Sequence, residues 1–275
     1  MTPPFGPVIL SIGKLSIHWY GFLIVTGILL GARVATYRAK ASGESPDIIW
    51  DMMLFVVIAA VIGARVYHVF SQPSNGLIGW QYYKAHPIEA LYIWQGGLGI
   101  YGAIIGGVIG VALFCWRRKL NPLQWLDFLA PGMAVGQAIG RWGNYMNREL
   151  YGPPTTLPWG LRIDPQYRIM AYADTSQYPV DTLFHPTFLY ESLGALLVCL
   201  VLLWIAERFS DRLLHGDMML LYLCGYSLVR FFTEFLRPDA WMAGVLAAAQ
   251  LFALGSIGLS LLVLFIRHRL QRQPA

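Results

Sequence analysis

The chain has 275 residues, of which 56% are hydrophobic and only 13% charged, and its mean hydropathy is +0.52. This composition excludes an ordinary soluble domain and is typical of a protein with several membrane-spanning helices. The formal net charge is +5, but most basic residues lie at the ends of apolar runs, so membrane topology explains them better than nucleic-acid binding. The three cysteines lie inside apolar runs without metal-ligand spacing, and we expect no nucleic acid, metal or cofactor.

Seven apolar runs are each about 20 residues long, the length needed to cross a hydrocarbon layer of about 30 Å. They cover residues 18–37, 48–70, 93–116, 122–139, 187–206, 218–236 and 241–266. The predicted fold is an all-α polytopic membrane protein that forms one domain over residues 1–275. Because only Lys14 precedes the first run and no small-residue cleavage site follows, we expect no cleaved signal peptide.

Clusters of basic residues orient these predicted spans. They follow the first, third, fifth and seventh runs, and they all fall on one side of the membrane if there are seven spans. The clusters are Arg38 and Lys40; Arg117, Arg118 and Lys119; Arg208 and Arg212; and Arg267, Arg269 and Arg272. By the positive-inside rule that side is cytoplasmic, which puts the N-terminus outside and the C-terminus inside.

Residues 153–185 form the one sizeable polar insertion, between the fourth and fifth runs, and they contain five prolines. The segment is too short to fold as an independent domain. We expect a small extracytoplasmic subdomain or lid over a site in the membrane. The loop at residues 71–87 should lie on the same side.

A polar cluster follows the fourth run, in the sequence Gly-Arg-Trp-Gly-Asn-Tyr-Met-Asn-Arg-Glu-Leu-Tyr-Gly of residues 140–152. Arg141, Asn144, Asn147 and Glu149 are costly at the end of a span unless they meet partners or line a wet cavity, so they predict a binding site. The alternative is an interfacial loop whose Arg and Trp only anchor a helix end, and this suits Arg148.

Other charged residues lie within or beside the remaining apolar runs. Arg65 in the second run predicts a site or structural pairing more than an arginine that snorkels to the interface. His185 precedes the fifth run, and Glu191, one turn deeper, needs a cationic partner, either in a structural salt bridge or in a chemical role. Arg230 and Glu234 should share a helix face with Arg237 that points into the bundle, since a pair facing lipid is unfavourable.

These residues map to the outer halves or ends of different spans, which predicts a single polar cavity. Its expected members are Tyr20, Arg65, Arg141, Glu149, Glu191, Arg230 and Glu234. Because three of these seven residues are arginines, and guanidinium groups bind phosphate in a bidentate way, we expect an anionic ligand. A phosphate at the outer leaflet indicates a phospholipid headgroup.

Glycines in the third run match a dinucleotide-binding pattern from Gly97 to Gly102 on paper, but no strand precedes them and the run is apolar. Gly102, Gly106 and Gly110 instead recur every four residues, which predicts a small-residue face for close helix packing. Tyr101, a polar residue within this stretch, could still face a cavity.

Residues 140–152 resemble the signature of the bacterial prolipoprotein diacylglyceryl transferase family. Residues 17–21 (Ile-His-Trp-Tyr-Gly), 63–65, 94–97, 185–191 and 230–234 are similar to its other blocks, in the same order. The resemblance implies a seven-span enzyme of the bacterial inner membrane with its site towards the outer face. It would transfer the diacylglyceryl group from phosphatidylglycerol to the lipobox cysteine of a preprolipoprotein, forming a thioether and releasing sn-glycerol 1-phosphate.

The same resemblance assigns expected roles by position. Arg141 would bind the phosphatidylglycerol headgroup, Arg230 would assist at the phosphate, and Glu234 would orient it. The residues expected to shape the signature loop or line the substrate site are Tyr20, Arg65, Asn144, Asn147, Glu149, Gly152 and Glu191.

One position departs from the family pattern. Many members carry a histidine, considered as the base, where this chain has Tyr101, and a tyrosine with a pKa of about 10 is a poor base at neutral pH. Either another group takes the thiol proton, with His185 the nearest candidate, or the arginines alone lower the cysteine pKa. The alternative function is a transporter or flippase for an anionic phospholipid, although the paired repeats typical of transporters are not visible.

Overall fold

The computed structural model describes residues 1–13, 15–71 and 79–271, so Lys14, Arg272 and residues 72–78 of the predicted outer loop lie outside the described residues. Within the described ranges the chain forms eight α-helices. They are α1 (Trp19–Ala41), α2 (Asp47–Phe70), α3 (Trp80–Ala85), α4 (Ile100–Arg118), α5 (Pro122–Asn147), α6 (Thr187–Arg208), α7 (Asp217–Glu234) and α8 (Ala248–Gln271).

Short antiparallel strand pairs and 3₁₀ turns connect the helices. The strands are β1 (Val8–Ile12) with β2 (Leu15–His18), β3 (Leu161–Arg162) with β4 (Leu183–Phe184), and β5 (Met242–Ala243) with β6 (Leu246–Ala247). The 3₁₀ turns are Pro87–Leu91, Ile93–Gln95, Pro165–Tyr167, Met170–Tyr172 and Ser210–Arg212. The predicted insertion at 153–185 therefore contains the β3–β4 pair and two of these turns.

The chain divides into two compact units. The first comprises residues 1–35 and 127–275, and the second comprises residues 36–126. In the first unit, the insertion buries Phe184, Leu161 and Ile163 together with the tyrosines at 145 and 151. The insertion thus has an apolar core that it shares with the end of α5.

Five described helices are long and apolar enough to cross a membrane: α1, α2, α4, α6 and α8. The chain is therefore a mainly helical, multi-pass membrane protein. α5 and α7 fall short of the same criterion. They carry polar residues in otherwise apolar sequence, including Asp127 and Arg141 in α5 and Asp217, Arg230 and Glu234 in α7.

Three predicted spans have different boundaries in the structure. Two glycines with positive φ, Gly96 at 89° and Gly97 at 73°, separate a 3₁₀ turn from α4, which begins at Ile100 rather than at residue 93. α5 continues past residue 139 to Asn147, so the first half of the polar segment 140–152 is helical rather than loop. The last predicted span begins with the β5–β6 hairpin, and its helix starts at Ala248.

Glycines let helices approach closely in each unit. In the second unit, a Cβ added at Gly102 or Gly106 would collide with the backbone of α2, at Gly63 and Ala59 respectively, which confirms the predicted small-residue face. In the first unit, a Cβ at Gly31 of α1 would lie 2.6 Å from the carbonyl oxygen of Gly132 in α5.

Candidate functional site

Four charged side chains from three helices form a continuous chain of ion pairs. Arg141 Nε of α5 lies 2.5 Å from Glu191 Oε2 of α6, and Arg230 Nη1 of α7 lies 3.1 Å from Glu191 Oε1. Arg230 Nη2 lies 2.5 Å from Glu234 Oε2, one turn further along α7. Glu191 therefore bridges both arginines, and Arg230 and Glu234 share a helix face as predicted.

In α5, α6 and α7 the quartet side chains lie near one end of the helix and are flanked by an apolar sequence. A charged group in such surroundings is tolerated only when it is paired. Arg237 is an exception to the prediction. α7 ends at Glu234, so Arg237 is not on its face, and its Nε lies 3.4 Å from Asp239 Oδ1 in the following turn.

The quartet is formally neutral, with two arginines and two glutamates. Its carboxylates are the more buried partners: the side chain of Glu191 is 9% exposed, against 21% for Arg141. The ion pair of Arg141 with Glu191 is made through Nε, and its two terminal amino groups donate no hydrogen bond to any residue that the structure describes. Anion binding would therefore depend on this open edge of Arg141 rather than on net charge.

The polar segment that begins with Arg141 changes from helix to a tight turn at Asn147. Asn144, which is buried, donates from Nδ2 to Glu149 Oε1 at 2.8 Å, and Asn147 Nδ2 lies 3.4 Å from the same oxygen. Glu149 N also donates to the carbonyl of Asn144 at 3.0 Å. Glu149 thus caps and orders the end of the segment, and no ion pair links it to the quartet within the described chain.

The turn has a strained backbone on both sides of Glu149. Arg148 and Leu150 are non-glycine residues with left-handed φ values of 57° and 55°. Such conformations cost about 1–3 kcal/mol each and persist only where surrounding contacts impose them. Here the hydroxyl of Thr187 donates to the carbonyl of Leu150, and the guanidinium of Arg148 lies 4.3 Å from the ring centroid of Tyr167.

Gly152 ends the segment against the start of α6. Its N–H donates to the carbonyl of His185 at 2.9 Å, and an added Cβ would lie 2.9 Å from both His185 Cβ and the Leu236 carbonyl oxygen. Tyr151 beside it accepts a hydrogen bond from Ile169 N at 2.7 Å, and burial raises the pKa of Tyr151. The expected role of Gly152 in shaping this segment therefore has a steric basis.

His185 is held by the insertion and by α6. Its Nδ1 lies 3.1 Å from the hydroxyl oxygen of Tyr190, which also accepts a hydrogen bond from Trp159 Nε1 at 3.3 Å. Which atom donates between His185 and Tyr190 depends on the histidine tautomer. Nε2 of His185 has no hydrogen-bond partner among the residues that the structure describes.

Tyr20 lies on α1 and packs against the polar segment. A Cβ added at Gly143 would lie 2.6 Å from Tyr20 Cδ2, so the tyrosine ring fills the space that this glycine leaves. Tyr20 is partly exposed and lies in the same unit as Arg141. This position is compatible with the predicted lining role, which stays a prediction.

Arg65 and Tyr101 lie in the second unit. Arg65 is buried, and its guanidinium donates to four backbone carbonyls, those of Glu89, Ala90, Gly96 and Gly97, at 2.6 to 3.0 Å. Tyr101 is exposed on α4, with its ring 5.8 Å from that of Tyr67. The substrate roles of both residues stay predictions, and Arg65 orders the segment before α4.

Two groups in the first unit were not expected from the sequence. Ser192 Oγ donates to the carbonyl of Ala138 at 2.8 Å and accepts from Trp142 Nε1 at 3.2 Å, which fixes α6 on α5 beside the quartet. A lone serine in an apolar run gives no signal of this. Arg168 is buried in the insertion and donates to four backbone carbonyls. Its position in a proline-rich segment does not predict this burial or these contacts.

The family model described as prolipoprotein diacylglyceryl transferase matches residues 7–266. The chain belongs to this family. The phosphatidylglycerol–prolipoprotein diacylglyceryl transferase of Synechococcus elongatus is 42% identical over 270 residues, covering 97% of this chain and 89% of that protein. The protein of the same name from Chloroflexus aggregans is 38% identical over 288 residues, covering 98% and 92%.

A third relative, phosphatidylglycerol–prolipoprotein diacylglyceryl transferase 2 of Streptomyces coelicolor, is 42% identical over 231 residues, covering 84% of this chain and 69% of that protein. These similarities confirm the resemblance first carried by residues 140–152 and the blocks around it. As a member of the prolipoprotein diacylglyceryl transferase family, the chain is a transferase and a membrane enzyme. The transporter alternative is not favoured.

Proposed function

We infer that this protein transfers the diacylglyceryl group of phosphatidylglycerol to the cysteine thiol of a prolipoprotein. The observation that carries the site assignment is the ion-pair chain Arg141–Glu191–Arg230–Glu234, with the open terminal edge of Arg141 at one end. The names of the relatives indicate the substrates, and the geometry supports a site for the phosphate.

The headgroup phosphate would bind at the terminal amino groups of Arg141. A planar guanidinium that already uses Nε on a carboxylate can still offer a pair of parallel N–H donors to two phosphate oxygens. Glu191 holds this guanidinium in place and is itself held by Arg230. Such pre-organisation means that no side chain has to be reoriented when the phosphate binds.

The reaction forms one bond and breaks one bond at carbon. The cysteine sulfur attacks the glyceryl carbon that carries the phosphate ester, a C–S bond forms, and the C–O bond breaks with its electron pair on the phosphate oxygen. The products are a thioether and sn-glycerol 1-phosphate, and the thiol proton passes to a base. Arg141 and Arg230 stabilise the negative charge that grows on the departing phosphate.

The reaction also needs a group that takes the proton of the cysteine thiol. His185 is a candidate because Nδ1 of its ring is anchored to Tyr190, while Nε2 has no partner in the part of the chain that the structure describes. Its backbone carbonyl also accepts a hydrogen bond from Gly152. Tyr101 is the residue at the position where many family members have histidine, and we keep it as a pocket residue. Whichever group takes the proton, a neighbouring cationic group lowers the pKa of the attacking thiol.

We propose seven membrane spans, with α5 and α7 crossing the membrane in addition to the five more apolar helices. The last turns of α1, α4, α6 and α8 all carry basic residues, and these four ends lie on one side only if α5 and α7 also cross. That side is cytoplasmic, the N-terminus and the quartet are on the outer side of the bacterial inner membrane, and residues 153–185 are extracytoplasmic. Reporter fusions after residues 120 and 170 should report opposite sides, and the same side for both would refute this topology.

Transfer of labelled diacylglycerol from phosphatidylglycerol to a lipobox peptide tests the function. We expect Arg141→Ala and Arg230→Ala membranes to lose at least about 99% of the transfer rate, since each change removes charge stabilisation of the leaving phosphate. Arg212→Ala is the matched control, an exposed arginine in the turn after α6, and should retain the wild-type rate. Full activity in both quartet variants would contradict the mechanism, and lipid movement without thioether formation would indicate a transporter.

A further inference from the structure

The β5–β6 hairpin exposes a surface made of apolar residues. Residues 241–245 have the sequence Trp-Met-Ala-Gly-Val, and all five are exposed. Trp241 is 79% exposed and Val245 94% exposed. A contiguous exposed apolar patch of this kind marks contact with a partner or with lipid, because water solvates it poorly.

This hairpin is a formed element with a tight turn. Gly244 has a φ of 82° at the first central position of the two-residue turn between Ala243 and Leu246, a conformation that glycine adopts without steric cost. The N–H of Ala248 donates to the carbonyl of Trp241 at 2.8 Å, which ties the base of the hairpin to the start of α8. The exposed side chains are therefore presented at a defined place.

The base of the hairpin is also bonded to α7 beside the ion-pair quartet. Gln250 is buried, and its Oε1 accepts a hydrogen bond from Ala247 N at 2.9 Å. Its Nε2 donates to the carbonyl of Phe231 at 3.3 Å. Because Phe231 directly follows Arg230, these two hydrogen bonds link the hairpin to the part of α7 that carries Arg230 and Glu234.

We propose that residues 241–245 insert into the outer interface of the bilayer and hold the end of α7 at the depth of phospholipid headgroups. Lipid is the occupant because the hairpin runs directly into α8, a helix long and apolar enough to cross a membrane, and no charged residue occurs from 240 to 266. A tryptophan at such a boundary is typical of membrane interfaces. By contrast, the exposed turn at 174–177 has the sequence Asp-Thr-Ser-Gln, which suits water.

Fluorescence quenching tests the location directly. The full chain, with Cys115, Cys199 and Cys224 changed to Ala, receives one bimane-labelled cysteine through Val245→Cys or, as the control, Gln177→Cys. Both are reconstituted in vesicles of phosphatidylcholine and phosphatidylglycerol. We expect the probe at 245 to emit at shorter wavelength and to be quenched at least about twofold more by a shallow nitroxide lipid than the probe at 177, which aqueous iodide should quench. Equal behaviour at both positions, or shielding of 245 from both quenchers, would overturn the insertion.

Activity then tests the link to α7. We expect Val245→Asp to lower the transfer rate in vesicles several-fold, because the charge keeps the tip out of the lipid, whereas Val245→Leu should retain it. Full transfer by Val245→Asp would overturn the positioning role of the hairpin. The inference goes beyond the proposed function, and the quenching result holds even if Arg141→Ala were to retain full transfer activity.

Discussion

Arg141 and Arg168 lie in the same unit of the chain, but their guanidinium groups are bound in different ways. Arg168, inside the insertion, donates from Nε, Nη1 and Nη2 to the carbonyls of Ile163, Tyr178, Pro179 and Val180 at 2.6 to 3.1 Å, and lies over the ring of Phe184. Arg141 uses Nε on Glu191, and its terminal amino groups donate to no residue in the described ranges.

The difference separates a structural arginine from one that is available to a ligand. Some guanidinium groups donate all their hydrogen bonds to backbone carbonyls. Such a group supplies the donors that regular secondary structure would otherwise provide to the carbonyls of an irregular loop. A guanidinium fixed by one carboxylate keeps its orientation and retains donors for an incoming anion. Arg65 in the second unit follows the first pattern, with four backbone carbonyls. Burial of an arginine alone therefore does not identify a substrate ligand in this protein.

The largest expected effect comes from changing the geometry of Arg141 while keeping its charge. Arg141→Lys should lower kcat/KM for diacylglyceryl transfer by about a hundredfold, because an ammonium cannot bind Glu191 and phosphate with separate edges. The midpoint of thermal unfolding in detergent should stay close to that of the wild type. Transfer at the wild-type rate would mean that the open edge of Arg141 has no role.

A smaller effect, on stability rather than on chemistry, should follow from the same change at Arg168. Arg168→Lys leaves several of the four carbonyls without a donor, which should destabilise the insertion by about 2–3 kcal/mol. Limited proteolysis between residues 153 and 185 and the unfolding midpoint measure this loss. The transfer rate per folded molecule should be nearly unchanged. A loss of activity without a loss of stability would contradict the structural role of Arg168.

The smallest effect is expected at Gly152, where the insertion joins the end of the polar segment. Gly152→Ala must displace His185 or the Leu236 carbonyl, each 2.9 Å from the new Cβ, at a cost of about 1–2 kcal/mol. Thermal unfolding measures that cost, and transfer assays show whether the position of His185 matters. The control is Gly255→Ala on α8, where an added Cβ meets open space. Gly43 also has open space, but its φ of 79° would strain an alanine. Equal stability of Gly152→Ala and Gly255→Ala would refute the steric role.

Much of the site could be predicted because charge in an apolar run is costly and therefore conspicuous. Arg141, Glu191, Arg230 and Glu234 were each identified in this way, and the structure brings all four together. Arg237 was assigned to the same face because the spacing i, i+7 assumes that a helix continues, whereas α7 ends at Glu234. Helix ends depend on local backbone geometry that periodicity does not encode.

The sequence by itself determined that this chain is a multi-pass membrane protein with a polar site, because hydropathy and the cost of intramembrane charge are properties of single residues and short runs. Its motifs also indicated the transferase family. Tertiary structure alone decided that residues 140–147 continue α5, that Glu191 joins two arginines, and that Arg65 and Arg168 bind backbone carbonyls. These features depend on which donors and acceptors meet across distant parts of the chain, and the pattern of one segment does not specify its partner in another.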